Sequence, residues 1–316
     1  MNRILTKEKS MIITSQQSKL LDVAEAIRLD PDKTEAAFIA RQLVQATLPH
    51  KNPGKDVQAW SRTNGNLTLG IRPGWDFEKE KSFGYPYGTI PRLLLFWMTT
   101  EALRTKNQRL ELGNSLASFM RQLGLEPATG RGKRSDAKRL RDQMQRLFQA
   151  KISFHQIRDD EKKKGRAWLN MDVAPKGVMW WDEKQPEQGA LWGSWIQLGE
   201  DFFNAIIAAP VPVDMRALKA LKRSPLALDL YAWATYSAYR TQKSGQPRSV
   251  SWVALHEQLG AEYHDIKDFA RFARAALRKV QAVYPELGLE FERGNVRVLP
   301  CNPAITVRAK MQPTVK

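Results

Sequence analysis

Cysteine is nearly absent: Cys301 stands alone in a chain of 316 residues. A single thiol cannot close an intrachain disulfide, which excludes a disulfide-stapled scaffold and makes a reducing cytoplasm the expected location. Histidine is scarce as well, with His50, His155, His256 and His264 scattered along the chain. These residues cannot build a zinc-finger framework, and no metal site is expected. No run of about 18 apolar residues is present, so a membrane-spanning helix is not expected. The opening Met1–Glu8 is too polar for the apolar segment of a signal peptide, and Met11 is an alternative start.

Recognisable catalytic motifs are missing too. Before Gly132-Lys133, a phosphate-binding loop would need glycine where Pro127 stands and Ser or Thr where Arg134 stands. Before Gly54-Lys55 the corresponding residues are Pro49 and Asp56. A metal-dependent nicking enzyme would need closely spaced histidines, and no two lie within two residues of each other. The acidic run Asp159-Asp160-Glu161 falls on an expected hairpin tip, where solvation is its ordinary role. Neither enzymatic activity nor a cofactor is expected.

Acidic residues are in deficit. Thirty-three Asp and Glu against 50 Lys and Arg give a net charge of +17, with an isoelectric point near 10.0. The economical partner for such a chain is a polyanion, nucleic acid first; a membrane surface competes, but neither an apolar run of about 18 residues nor a signal peptide speaks for it. With 42% hydrophobic residues the chain is globular and long enough for two domains.

Read in order, residues 1–34 form a tail and a short helix, Ser18 to Leu29. A second helix is expected from Glu35 to Leu48, then a strand at Asn66–Arg72. Pro91 opens an apolar, Trp-bearing helix. A short helix, Leu112 to Leu123, closes at Gly124, and the basic loop Thr129–Asp136 leads to a helix capped by Ser135 or Asp136 and ending near Gln149. Ile152–Ile157 and Trp168–Val173 make a hairpin with a charged tip. Residues 175–194 read as an irregular connection, Trp195–Leu198 as a strand, Glu200–Ala208 as a helix and Pro210–Asp214 as a linker. Pro225 opens a second Trp-bearing helix, running to Arg240. Val250–Leu259 is a short helix stopping at Gly260. From Ile266 to Val283, Phe269, Phe272, Ala273, Ala276, Val280 and Val283 recur at helical spacing, with Lys267, Arg271, Arg274 and Arg278 in line on the opposite face. Leu287–Glu292 and Val296–Leu299 flank the turn Arg293-Gly294-Asn295.

The two halves repeat one order. Each has a Pro-initiated Trp-bearing helix, a short helix closing on Gln-Leu-Gly (Gln122–Gly124, Gln258–Gly260), a basic helix and a hairpin. The expected fold is α+β, mainly α: two tandem winged-helix domains at 35–209 and 210–303, followed by a disordered tail at 304–316. Double-stranded DNA is the expected ligand, met by Lys133, Arg134, Lys138, Arg139, Gln145 and Arg146 on the first basic helix and its loop. In the second half Lys267, Arg271, Arg274 and Arg278 play that part, and Lys163, Lys164, Arg293 and Arg297 serve as wing contacts. Arg139, Gln145, Arg271 and Arg274 are the candidates for reading bases.

The chain resembles the plasmid-encoded RepA family of replication initiators, found on broad-host-range plasmids such as the IncW type. The likeness rests on Leu48-Pro-His, Gly84-Tyr-Pro-Tyr-Gly-Thr-Ile-Pro-Arg-Leu-Leu-Leu-Phe-Trp and Leu112-Gly-Asn-Ser-Leu-Ala-Ser-Phe-Met-Arg-Gln-Leu-Gly-Leu. It continues in Arg141-Asp-Gln-Met-Gln-Arg-Leu-Phe and Ser224-Pro-Leu-Ala-Leu-Asp-Leu-Tyr-Ala-Trp. Thr129-Gly130 replaces the double glycine expected before the first basic helix. The resemblance implies a bacterial cytoplasmic protein that binds repeated origin sites (iterons), helps open AT-rich DNA and recruits the host initiator and replicative helicase. It also implies a homodimer that switches to monomer through the first winged helix. Two alternatives stand beside it: a winged-helix transcriptional repressor, autoregulatory or not, and a basic scaffold or RNA-binding protein with no DNA site.

Overall fold

A computed structural model of the chain describes residues 14–30, 35–54, 56–127, 135–160, 163–180, 193–259 and 262–305. Helix α1 (Ser15–Leu29) is followed by β1 (Ala36–Ala40), α2 (Arg41–Gln45), β2 (Trp60–Asn64), β3 (Leu67–Arg72), β4 (Trp75–Asp76) and β5 (Lys81–Ser82). Next come α3 (Thr89–Thr105), β6 (Arg109–Gly113), α4 (Leu116–Gln122), α5 (Asp136–Phe148), β7 (Lys151–Asp160), β8 (Lys163–Asp172), β9 (Lys176–Val178) and β10 (Ser194–Gln197). The remainder runs through α6 (Glu200–Ile207), β11 (Pro210–Asp214), α7 (Met215–Leu221), α8 (Pro225–Ser244) and β12 (Arg248–Ser251). It closes with α9 (Trp252–Leu259), α10 (Ile266–Val283), β13 (Leu289–Phe291) and β14 (Asn295–Val298). The fold is α+β.

Local signals place most helix ends. The Thr14 side chain accepts from the Gln17 amide while the Gln17 side chain accepts from the Thr14 amide, a reciprocal cap that starts α1 before the expected Ser18. Ser135 caps α5 and Ser224 caps α8, whose first turn carries Pro225. Gly245 ends α8 at φ +67, the left-handed conformation that glycine adopts without a Cβ penalty.

Tertiary pairing overrides several local readings. The helix expected over Glu35–Leu48 is absent: Ala36–Ala40 is a strand, and only Arg41–Gln45 is helical. Strand β1 pairs antiparallel with β11, from Ala36↔Asp214 to Ala40↔Pro210, so the expected linker is a strand as well. Its prolines are tolerated because the sheet has only these two strands, which leaves each an open edge. The helices expected at Leu112 and Val250 each give up their first residues to a strand, β6 and β12.

The β7–β8 hairpin forms where expected, with Asp160 opposite Lys163 at its tip. It extends the β2–β3 pair into the four-stranded sheet β2–β3–β7–β8. Strand β6 pairs instead with β10, which pairs with β9. The connection expected over 175–194 therefore supplies a strand at Lys176–Val178; residues 181–192 lie outside the described set. The other three-stranded sheet runs β12–β14–β13.

One continuous apolar cluster spans both halves. Its centre holds α3 and α8, buried around most of their circumference: Leu93, Leu94 and Met98 on one, Leu228, Tyr231 and Trp233 on the other. Buried polar contacts seal the halves together. Thr47 Oγ1 donates to the Leu259 carbonyl at 2.8 Å, and Gln258 Nε2 to that of Val44 at 3.0 Å. Arg92 of α3 meets Asp229 of α8 at the same junction.

Candidate nucleic-acid interface

Helix α10 is built as two faces. Asp265 caps it, accepting from Lys267 N at 2.7 Å, and Asp268 adds negative charge to the first turn. Phe269, Ala270, Ala273, Ala276, Leu277, Val280 and Val283 are buried. Phe272, expected among them, is 45% exposed and stacks on Tyr263 at 5.1 Å. At 100° per residue Phe272 lies at the edge of the buried arc, beside the loop that enters the helix.

The line of cations on the opposite face divides by role. Lys267, Arg271 and Arg278 are exposed. Arg271 is held within reach of Asp268 at 3.0 Å and lies 4.8 Å from the Phe272 ring. Arg274 turns away: Nη2 donates to the Glu292 carbonyl at 2.6 Å, and the guanidinium lies 5.1 Å from the Trp252 ring. Trp252 in turn stacks on Phe291 at 6.4 Å. Arg274 therefore ties the helix to the β13–β14 hairpin, a contact that helical spacing could not reveal. Arg297 pairs with Glu290 at 2.7 Å on that hairpin, and Arg293 is exposed at its turn.

Helix α5 is arranged in a similar way. Ala137, Leu140, Met144, Leu147 and Phe148 are buried, while Lys138 and Arg139 are exposed, Arg139 pairing with Asp136 at 3.2 Å. Gln145 is half-buried. Arg146 keeps only 17% of its side chain exposed: it meets Asp142 at 2.9 Å, donates to the Tyr85 carbonyl at 3.4 Å and lies 5.4 Å from the Tyr87 ring. A Cβ on Gly84 would come within 2.8 Å of its Nη1, so glycine makes room for this guanidinium. Arg146 thus joins α5 to the Gly84–Tyr87 connector. Gln143, which sequence reading passed over, does the same by accepting from the Tyr87 amide at 2.9 Å. Lys133 and Arg134 lie outside the described residues, as do the side chains of Lys163 and Lys164, whose backbone belongs to β8.

The junction between the halves was also missed, although Arg92 inside an otherwise apolar helix was a signal for it. His50 Nε2 lies 2.7 Å from Asp229 Oδ2. Burial, then the Arg92 charge, push the His50 pKa below its usual 6.5, over the opposing pull of Asp229. Burial would raise the Asp229 pKa, yet Arg92 and the hydrogen bonds from His50 and Arg92 hold it below the ordinary value. Arg62, 4.7 Å from the Trp60 ring, has its pKa pushed down to about 10, chiefly by burial. Among the described residues no helix is long and apolar enough to cross a membrane.

The family model described as "Plasmid encoded RepA protein" matches residues 85–254, more than half of the chain, from the Tyr85 connector through α5 and α8 into α9. No curated protein matches the sequence. Among solved structures, a crystal structure of RctB domains 2-3 (RctB-155-483) is similar, with 13% identity, coverage of 82% of this chain and 96% of that chain, and a TM-score of 0.48. The match across α3 to α8, the stretch that holds the first basic helix and most of the buried junction, shows that the chain belongs to the plasmid-encoded RepA proteins, a family of plasmid replication initiators.

Proposed function

We propose that the chain initiates replication by binding duplex DNA at a plasmid origin through two winged-helix units, with α5 and α10 as their recognition helices. The carrying observation is one order of elements met twice. Helix α3, strand β6, helix α4 and basic helix α5 are completed by β9 and β10, in a sheet ordered β6–β10–β9. Helix α8, strand β12, helix α9 and basic helix α10 are completed by β13 and β14, in a sheet ordered β12–β14–β13. On this reading the first wing is the β9–β10 hairpin, and β7–β8 is an insertion serving the β2–β3 sheet.

The exposed cations Lys138, Arg139, Lys267, Arg271, Arg278 and Arg293 are the groups this reading sends to DNA. Arg271 and Arg139, held by one-turn acidic partners, suit the bidentate reading of guanine; the others suit phosphates. The same proposal includes binding to repeated sites, recruitment of the host initiator and helicase, and dimerisation through the first unit, as the family resemblance suggests. The function assigns the chain no catalytic step. Footprinting of the DNA flanking the gene tests it: wild-type protein should protect an array of direct repeats, and Arg271→Ala with Arg278→Ala should lose that protection while keeping the fold. Protection unchanged in the double variant would sink the assignment of α10, and a lone protected palindrome would favour a repressor.

A further inference from the structure

The sheet β2–β3–β7–β8 covers the core with one face and, among the described residues, leaves the other open. The covered face carries Leu69, Ile71, Ile152 and Met171; the intervening residues point the opposite way. There the register sets Thr68, His155 and Trp168 side by side across β3, β7 and β8. The next row is Gly70, Ser153 and Asn170, whose short side chains leave a concavity of about 910 Å³. Trp168 is 66% exposed on edge strand β8, and Ile157 beside the same concavity is 50% exposed. Arg72, Lys151 and Arg166 contribute positive charge, and no Asp or Glu is among the described residues that line it. Asp172, at the end of the sheet, pairs with Lys151 at 3.4 Å.

We propose that this open sheet face binds single-stranded DNA, with Trp168 as a stacking platform for a base and Arg166, Arg72 and Lys151 as partners for backbone phosphates. The alternatives fit worse on physical grounds. Four strands spaced about 4.8 Å apart make a face roughly 14 Å across before side chains are added, too broad to enter a major groove about 12 Å wide. A duplex also keeps its base faces stacked internally, where an indole cannot reach them. A separated strand offers those faces and its phosphates together, the two things an exposed aromatic among cations is suited to bind. A second copy of the chain would set the same cations against each other, and the short polar side chains of Thr68, Ser153 and Asn170, spread over two neighbouring rows, break the apolar continuity of a protein-binding face. The site lies on different elements from α10, and the proposal does not depend on the reading of that helix.

The test uses the full chain and a fluorescent oligo(dT) of about 20 nucleotides, long enough to span the face, with duplex origin DNA titrated in parallel. Trp168→Ala should weaken oligo(dT) binding roughly 5- to 150-fold, the usual range for removing one stacking platform, with duplex affinity unchanged. Trp168→Phe, which keeps an aromatic face, should recover most of the loss, and matching thermal midpoints confirm that both variants are folded. Arg271→Ala with Arg278→Ala should show the converse, losing duplex and keeping oligo(dT); if it does not, only the α10 assignment fails. The sheet-face proposal is overturned if wild-type protein does not bind oligo(dT), or if folded Trp168→Ala binds it as wild type does. It is equally overturned if Trp168→Ala weakens both DNAs together, or if oligo(U) binds wild-type protein more tightly than oligo(dT) does. Dissociation of a dimer by Trp168→Ala, at unchanged oligo(dT) affinity, would assign the face to a second copy instead.

Discussion

Arg92 on α3 and Asp229 on α8, 137 residues apart in sequence, form a bidentate ion pair: Nε to Oδ1 and Nη2 to Oδ2, each at 2.7 Å. The remaining guanidinium donors reach the carbonyls of Pro49 at 3.1 Å, Gly88 at 2.7 Å and Leu48 at 2.7 Å. All five N–H groups of a buried arginine are thereby used, which is the condition under which a desolvated charge is tolerated. The pair joins the central helices of the two halves and organises the loop at Leu48–His50.

Removing one partner should therefore cost far more than a surface ion pair does. Asp229→Ala leaves the Arg92 charge buried without its counterion, and its unfolding free energy in urea should fall by about 3–5 kcal/mol. The double variant Arg92→Met with Asp229→Leu should be less destabilised than the single one, because no unpaired charge remains. A double variant as destabilised as Asp229→Ala, or more so, would contradict this account.

Acidification should loosen the same junction. In the folded chain His50, facing Arg92, Arg62 and Asp229, takes up a proton less readily than its ordinary value of 6.5 implies. Below about pH 6.5 the unfolded chain gains a proton that the folded chain resists, so stability is complete above that pH and declines beneath it. The decline for this one group is at most about 1.4 kcal/mol per pH unit. Asp229, held below its ordinary 3.8, withdraws its contribution only at still lower pH. Thermal midpoints measured between pH 7.5 and 5 should fall in the wild type, and the fall should be shallower in His50→Gln.

Two arginines one turn apart on α10 should separate structure from binding. Arg274→Ala removes the Glu292 hydrogen bond and the Trp252 contact, costing about 1–2 kcal/mol of stability. Arg278→Ala should leave stability within about 0.5 kcal/mol of wild type, while reducing the slope of log affinity against log salt by about 0.9 if it meets a phosphate. Equal effects of the two substitutions on unfolding would show that Arg274 is not a tie.

Close backbone approach fixes one glycine. A Cβ on Gly199, the residue before α6, would lie 2.4 Å from the Asp172 carbonyl oxygen at the end of β8. Because backbone atoms cannot yield as a flexible side chain does, Gly199→Ala should destabilise by about 1–3 kcal/mol. A thermal midpoint unchanged from wild type would show that α6 can shift at no cost.

The basic helix faces were legible because they are local: helical spacing alone puts Phe269, Ala273 and Val280 opposite Lys267, Arg271 and Arg278. The roles of Arg274 and Arg146 were not, since each is spent on a carbonyl or ring from an element distant in sequence. The hairpin at β7–β8 was legible as a hairpin, but its partner strand was not, because alternation specifies a strand and not its neighbour.

Composition and periodicity by themselves determined an α+β chain of strong positive charge, with a helix, short helix, basic helix and hairpin in each half. They could do so because capping, amphipathicity and net charge depend on residues near one another in sequence or on simple sums. Only the tertiary structure decided that Ala36–Ala40 and Pro210–Asp214 are paired strands, that Arg92 and Asp229 lock the halves into one core, and that Trp168 stands on an open sheet face. Each of these depends on segments brought together across long stretches of chain, where burial and hydrogen-bond pairing outweigh weak local preferences.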